Sequence, residues 1–193
     1  AGLEDYVCLV DDPRAEHAKG KKIGIEHLGN VAGGDATEYL NVPNQFMKDC
    51  VRQILEEQGI PVWFGADCHP MMDRENGAWA TDLFEYGKVY GVDFDLNKED
   101  RVRFADSAMN HAMAFVGVDV AEDGTTTRRW RVENSWGDKI ADKGYFTMSD
   151  DWFTEYVYEV AVPKALLPAE YQAALDEPAT MLPAWDPMGA LAD

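Results

Sequence analysis

The clearest periodicity in the chain follows Pro43. Phe46, Met47, Cys50, Val51, Ile54 and Leu55 recur three and four residues apart and make one apolar stripe. That spacing predicts an amphipathic helix, with Pro43 at its first position and Gly59 as its stop. Residues 60–65, Ile-Pro-Val-Trp-Phe-Gly, then read as a buried strand. Residues 111–119 are nearly continuous in apolar character through Ala112, Met113, Ala114, Phe115, Val116 and Val118, the pattern of a strand covered on both faces. Glu122-Asp123-Gly124 makes a turn, and 126–134 return with period two. Trp130, Val132 and Asn134 share one face, and Arg129, Arg131 and Glu133 share the other. Strand, turn and strand make 111–134 a β-hairpin with a charged outer face.

Weaker signals predict strands at 3–10, 22–27, 143–146 and 156–162, one or two helical turns within 99–110, and a short helix within 167–175. Residues 66–98 hold many turn formers and are expected to be a long excursion with little regular structure beyond a short helix near 82–86. Gly29, Gly33 and Gly34 punctuate a loop without a strand-to-helix junction, so they are not a dinucleotide fingerprint. From Glu177 onward Pro178, Pro183, Pro187 and Gly189 forbid a helix, yet Trp185, Met188 and Leu191 are not what a disordered tail favours. An extended tail packed on the rest is expected. The class is α+β, with antiparallel strands dominating the middle.

Charge narrows the field. Against 17 Lys and Arg stand 36 Asp and Glu, a formal net charge of −19. No cationic cluster is available to neutralise phosphates, which argues against a nucleic-acid partner. No apolar run approaches the ~18 residues of a membrane span, and a basic n-region followed by an apolar h-region is missing, so a soluble protein without a membrane partner is expected. Cys8, Cys50 and Cys68 are too few, and odd in number, for a disulfide framework; they fit a reducing, cytoplasmic compartment. The chain begins Ala1-Gly2-Leu3 with no Met, as if entering an ordered domain midway, and is expected to be a piece of a longer protein.

The hairpin brings His111, at the start of one strand, beside Asn134, at the end of its partner. A carboxamide oxygen accepting an imidazole N–H fixes one ring orientation and one tautomer, leaving the other nitrogen for a nucleophile. Trp136 is placed to cover that bond from water. From spacing alone the signal is weak: a lone His at a strand start is ordinarily a satisfied core or surface histidine, and an Asn at a strand end a turn former.

The surrounding strings sharpen it. Asn110-His111-Ala112-Met113, Glu133-Asn134-Ser135-Trp136-Gly137 and Lys143-Gly144-Tyr145 resemble the His and Asn segments of papain-like cysteine peptidases. Tyr39-Leu40-Asn41-Val42-Pro43, Pro61-Val62-Trp63-Phe64-Gly65, Glu155-Tyr156-Val157-Tyr158-Glu159-Val160 and the ending Pro183-Ala184-Trp185-Asp186-Pro187-Met188-Gly189-Ala190-Leu191-Ala192 resemble the bleomycin hydrolase/aminopeptidase C family. The resemblance implies a papain-like fold, mainly its antiparallel barrel-like half. Residues 1–176 would form the C-terminal half of the catalytic domain, and 177–193 a tail reaching the active-site cleft. It implies His111 as general base and acid, Asn134 as its orienting partner and Trp136 as their shield. It also implies that the C-terminal carboxylate, at Ala192 and Asp193, pairs with the substrate's α-ammonium, so that an endopeptidase groove becomes an aminopeptidase acting on peptides with a free N-terminus. Closed homohexamers are implied as well.

The family nucleophile, a Cys at a helix N-terminus preceded by a Gln, has no counterpart here. Cys8 lies in a strand-like context and Cys50 on the apolar stripe, where core packing accounts for it. Cys68 follows a strand in Asp67-Cys68-His69. Cys and His are good metal ligands, but adjacent side chains in an extended segment point apart, and neither a metal nor another cofactor is expected. The chain is therefore expected to carry two of three catalytic side chains, to be inactive alone, and to need the missing N-terminal part of the same protein. A non-catalytic binding or assembly module keeping the half-domain fold is the rival reading. His17, His27 and His69 are taken as solvated loop histidines, and Trp79 and Trp152 as core. A half-domain of this kind is expected to expose apolar surface around His111 and Trp136.

Overall fold

A computed structural model of the chain describes residues 2–29, 32–34, 36–94 and 96–189. In chain order these form β1 (Tyr6–Val10), β2 (Lys21–Ile25), β3 (Glu38–Asn41), α1 (Asn44–Gln53), β4 (Val62–Ala66), β5 (Met72–Asp73), β6 (Ala78–Trp79), α2 (Tyr86–Tyr90), α3 (Lys98–Arg103), β7 (His111–Val120), β8 (Thr127–Glu133), β9 (Tyr145–Ser149), α4 (Asp150–Tyr156), β10 (Val157–Pro163), α5 (Ala169–Ala174) and β11 (Thr180–Leu182). The strands join in one sheet in the order β11-β2-β3-β1-β10-β4-β7-β8-β9-β6-β5. Most neighbours are antiparallel; β1–β3, β2–β11 and β6–β9 are parallel. The fold class is α+β and sheet-dominated.

Helix α1 buries Met47, Cys50 and Val51, the stripe read from the sequence. Pro43 stands one residue before the helix, in extended conformation at φ −60° and ψ 143°. Residues Ile54–Gln58 widen into a π-helical turn that ends at Gly59, whose N–H reaches the Ile54 carbonyl at 3.1 Å. Against this helix and the sheet lies the main core. At its centre Phe115, fully buried, stacks on Phe64 at 3.8 Å between centroids and on Phe153 at 5.3 Å. Trp79 and Trp152 are buried core residues, as expected.

Successive residues of a strand face opposite sides of a sheet, and β1 and β10 have apolar cover on both. Leu9, Val160 and Val162 enter the main core. Val10 and Tyr158 enter a second cluster with Ile23, Ile25, Tyr39, Val102, Leu182 and Met188. The C-terminal tail supplies the last two, and β11 adds to the sheet edge alongside β2.

Three expectations need correction. Strand β7 is not fully covered on both faces: Met113 and Phe115 are buried on one, while on the other Ala112 is exposed and Ala114 and Val116 are half-buried; β4 is buried as expected except at Trp63, which is 62% exposed. Exposed apolar side chains do not gather at His111 and Trp136, which are half-buried; they concentrate between Phe84 and Phe104. In the tail Met188 packs as expected, but Trp185 is 84% exposed.

Candidate active site

Strand pairing positions the central histidine. His111 is the first residue of β7 and stands opposite Ala66, the last residue of β4. Just before it, the Asn110 N–H donates to the Ala66 carbonyl at 3.0 Å. The Asn110 side chain accepts from the Cys68 N–H at 3.0 Å and donates to Asp67 at 2.7 Å. Asp67 also accepts from the Ser107 hydroxyl at 2.8 Å, and Ser107 accepts from the Tyr158 hydroxyl at 2.8 Å. Asp67, Ser107 and Tyr158 are buried, and a satisfied buried network of this kind is rigid. It holds the backbone from which His111 projects.

Asn134 follows directly on β8. Its N–H donates to the Gly144 carbonyl at 3.1 Å. Gly144 has φ +89°, in the left-handed region, and a Cβ there would stand 3.1 Å from the Gly137 carbonyl oxygen. Glycine is what lets this loop close under Asn134.

The two side chains meet: His111 Nε2 lies 2.8 Å from Asn134 Oδ1. The same oxygen accepts the Ser135 backbone N–H at 2.7 Å. A backbone N–H needs an acceptor, so the atom between them is the carboxamide oxygen. An oxygen accepts only, so Nε2 carries the proton and the neutral ring keeps Nδ1 free as a base. The Trp136 indole stacks on the imidazole with centroids 5.2 Å apart and planes 25° from parallel. Phe146 meets the indole edge-on at 5.9 Å, and the Arg74 guanidinium lies over its ring at 5.0 Å. Asn134 Nδ2 is buried without a hydrogen-bond partner among the described residues, a cost that ordinary packing sites avoid.

His111, Asn134 and Trp136 thus form one constellation. Ala192 and Asp193 lie outside the described residues. The cysteines are elsewhere: Cys8 on β1, Cys50 buried on α1 and Cys68 buried after β4. Burial, with Asp49 beside it, pushes the Cys50 thiol up to about 12. Burial and Asp67 push Cys68 up to about 11. Cys8 is raised further by burial and by Glu159. At neutral pH all three are thiols, the form that does not attack. Cys68 and His69 point apart, one buried and the other exposed against Asn110. His17 is not a free loop histidine, because its Nδ1 sits 2.5 Å from Asp12. Arg74 and the Asp67–Asn110 network were not found from the sequence; Arg74 lies in the stretch without periodicity and carries no motif.

The sheet-dominated α+β fold that carries this histidine, carboxamide and tryptophan is the papain-like cysteine peptidase fold. A sequence model of the Peptidase C1-like family matches residues 1–189, and the chain belongs to that family. It is 43% identical over 194 residues to human bleomycin hydrolase, covering 99% of this chain and 42% of that protein. It is 42% identical to aminopeptidase C of Lactobacillus delbrueckii subsp. lactis, covering 98% of this chain and 42% of that protein. The crystal structure of PepW from Lactobacillus rhamnosis HN001 superposes with a TM-score of 0.94 at 38% identity, over 100% of this chain and 43% of that one. The chain therefore spans about two fifths of the length of these relatives.

Proposed function

We propose that the chain is the base-bearing C-terminal portion of a cysteine aminopeptidase, with the nucleophilic thiol on a preceding part of the same protein. The observation that carries this reading is the 2.8 Å bond from His111 Nε2–H to Asn134 Oδ1, which leaves Nδ1 as the free base. In the reaction Nδ1 takes the thiol proton, and the thiolate attacks the scissile carbonyl. The imidazolium then returns its proton to the leaving amine. A water deprotonated at Nδ1 hydrolyses the acyl-enzyme, and the thiol leaves protonated. Asn134 holds the ring in one orientation through both charge states, and Trp136 keeps water from competing for the bond.

The substrates are peptides with a free N-terminus. The family resemblance carries the rest of the proposal: a tail carboxylate at Ala192 and Asp193, which lie outside the described residues, pairs with the α-ammonium. Support comes from the resemblance of the tail string and from the anchoring of the tail as far as Met188. Residues 1–176 serve as half of the catalytic domain and 177–193 as this tail. The family resemblance also supports a cytoplasmic homohexamer, which native mass measurement tests.

The first test is the size and reactivity of the protein in its source cells. A longer chain that cleaves aminoacyl amides and loses that activity in His111→Ala supports the reading. A native chain of 193 residues would hold no activated nucleophile, and the non-catalytic module would take its place.

A further inference from the structure

Arg74 stands beside the histidine site without a carboxylate of its own. Its guanidinium lies over the Trp136 ring at 5.0 Å, and that indole stacks on the His111 imidazole at 5.2 Å. Every other arginine of the chain pairs with an Asp or Glu. Arg74 makes no ion pair among the described residues, although the chain holds 36 Asp and Glu against 17 Lys and Arg.

The turn that carries Arg74 accounts for the exception. Strands β5 and β6 pair through Asp73 and Ala78 and through Met72 and Trp79, and residues 74–77 reverse the chain between them. The neighbouring Asp73 carboxylate is occupied by the turn itself. It accepts the Glu75 N–H at 3.1 Å, the Asn76 N–H at 3.0 Å and the Asn76 Nδ2–H at 2.7 Å. The Gly77 N–H donates to the Asp73 carbonyl at 2.9 Å, and the Gly77 carbonyl accepts the Thr147 N–H of β9 at 2.8 Å. Gly77 has φ +71°, and a Cβ there would stand 2.3 Å from the Ala141 side chain. The turn is therefore fixed against β9, and it presents Arg74 to solvent.

A free guanidinium at this place has a chemical use. In the proposed reaction His111 hands its proton to the leaving amine, so the peptide beyond the scissile bond passes next to the imidazole. The two ring distances put the guanidinium within the reach of about three residues of extended chain from the imidazole. A guanidinium over an indole keeps its N–H donors available, and their fork matches a carboxylate. We propose that Arg74 is a specificity-determining residue on the leaving side of the cut, where it binds a carboxylate carried within the first few residues beyond the scissile bond. That carboxylate is an Asp or Glu side chain or the C-terminus of a short peptide. The proposal rests on the cysteine peptidase reading above and deepens it by naming a substrate class.

The test uses the full-length protein and two pairs of peptides with a free N-terminus. One pair is a tripeptide amide with Glu or Gln after the scissile bond, which reads the side chain. The other is a dipeptide as free acid or amide, which reads the terminus. The wild type is expected to cleave the charged member of at least one pair with kcat/KM about fivefold or more above its neutral partner, between the scale of an exposed ion pair and that of a charge-assisted hydrogen bond. Added salt shrinks that preference. Arg74→Met is expected to abolish it, Arg74→Lys to keep part of it and Arg74→Glu to invert it. An arginine that only covers Trp136 would change both members of a pair alike in these variants, and an unmoved ratio would overturn the proposal. So would a wild type that cleaves all four peptides without preference, in which case the peptidase reading stands. If the wild type cleaves none of them, that reading fails and the proposal with it. Should Arg74→Glu not fold, the ratio in Arg74→Met decides.

Discussion

Replacing Asn134 by Ala separates what the carboxamide does for chemistry from what it does for the fold. The side chain makes two hydrogen bonds among the described residues, to His111 at 2.8 Å and to the Ser135 N–H at 2.7 Å. Each is worth about 1 kcal/mol net. Against them stands the buried Nδ2 without a partner, which costs about 1–3 kcal/mol. Alanine removes all three, and the exposed Ser135 N–H is taken up by water. The sum lies within about 1 kcal/mol of zero on these figures. Catalysis has no such offset. The bond to a ring that becomes charged during the reaction is worth about 1.5–3 kcal/mol, or about 10- to 100-fold in kcat/KM. Asn134→Ala in the full-length protein is therefore expected to unfold near the wild-type urea midpoint while losing one to two decades of kcat/KM. A loss of stability above about 3 kcal/mol, or an unaltered kcat/KM, would refute this division between function and fold.

Other expectations are simpler to check. Burial raises Asp11, but Lys98 and Lys19 outweigh it and hold the carboxyl below its ordinary range; Asp12 is likewise raised by burial and held down by Arg14 and His17. A folded pKa below the unfolded one adds stability that is full above about pH 4 and is lost as pH falls through the folded value. Circular dichroism should show acid unfolding, with a shallower acid limb in Asp11→Asn; stability that rises on acidification would contradict the assignment. Cys8, Cys50 and Cys68, protonated at pH 8, should alkylate slowly in the native protein by intact-mass kinetics and quickly in denaturant. Rapid native labelling of Cys68 would make it a nucleophile candidate. Phe115→Ala removes a ring stacked on Phe64 and Phe153 in the main core and should cost about 3–5 kcal/mol in urea unfolding; a cost below about 1 kcal/mol would mean the site collapses without a cavity.

The parts of the fold written in periodicity were legible from the residues. The stripe from Phe46 to Leu55 became α1 with its π-helical extension, and the alternation from Arg129 to Glu133 became β8 with its charged face outward. Elements defined by partners were not. Strand β3 is defined by its pairing with β2 on one side and with Leu9 and Val10 of β1 on the other, and four residues carry too little alternation to declare it. Helix α4 announced itself only through Ser149, whose hydroxyl accepts the Trp152 N–H at 3.2 Å; the apolar run after it read as strand. The two-faced burial expected for β7 failed because an apolar run shows that a strand is hidden without showing on how many sides. At the site, His111, Asn134 and Trp136 came from motif strings on one hairpin. Arg74 depends on a contact between distant segments, and a single charged residue among many in so acidic a chain gives no sign of it.

The central claim is that His111 is the base for a thiolate lying outside these 193 residues. It is tested most directly by treating the full-length protein with a thiol-directed peptidase inhibitor, mapping the labelled cysteine, and repeating the rate measurement in His111→Ala. The account predicts a single labelled cysteine on a preceding part of the protein, with labelling slowed about 100-fold or more in the variant, the scale of lost general-base activation. Labelling at Cys8, Cys50 or Cys68, or a rate indifferent to His111, would contradict it.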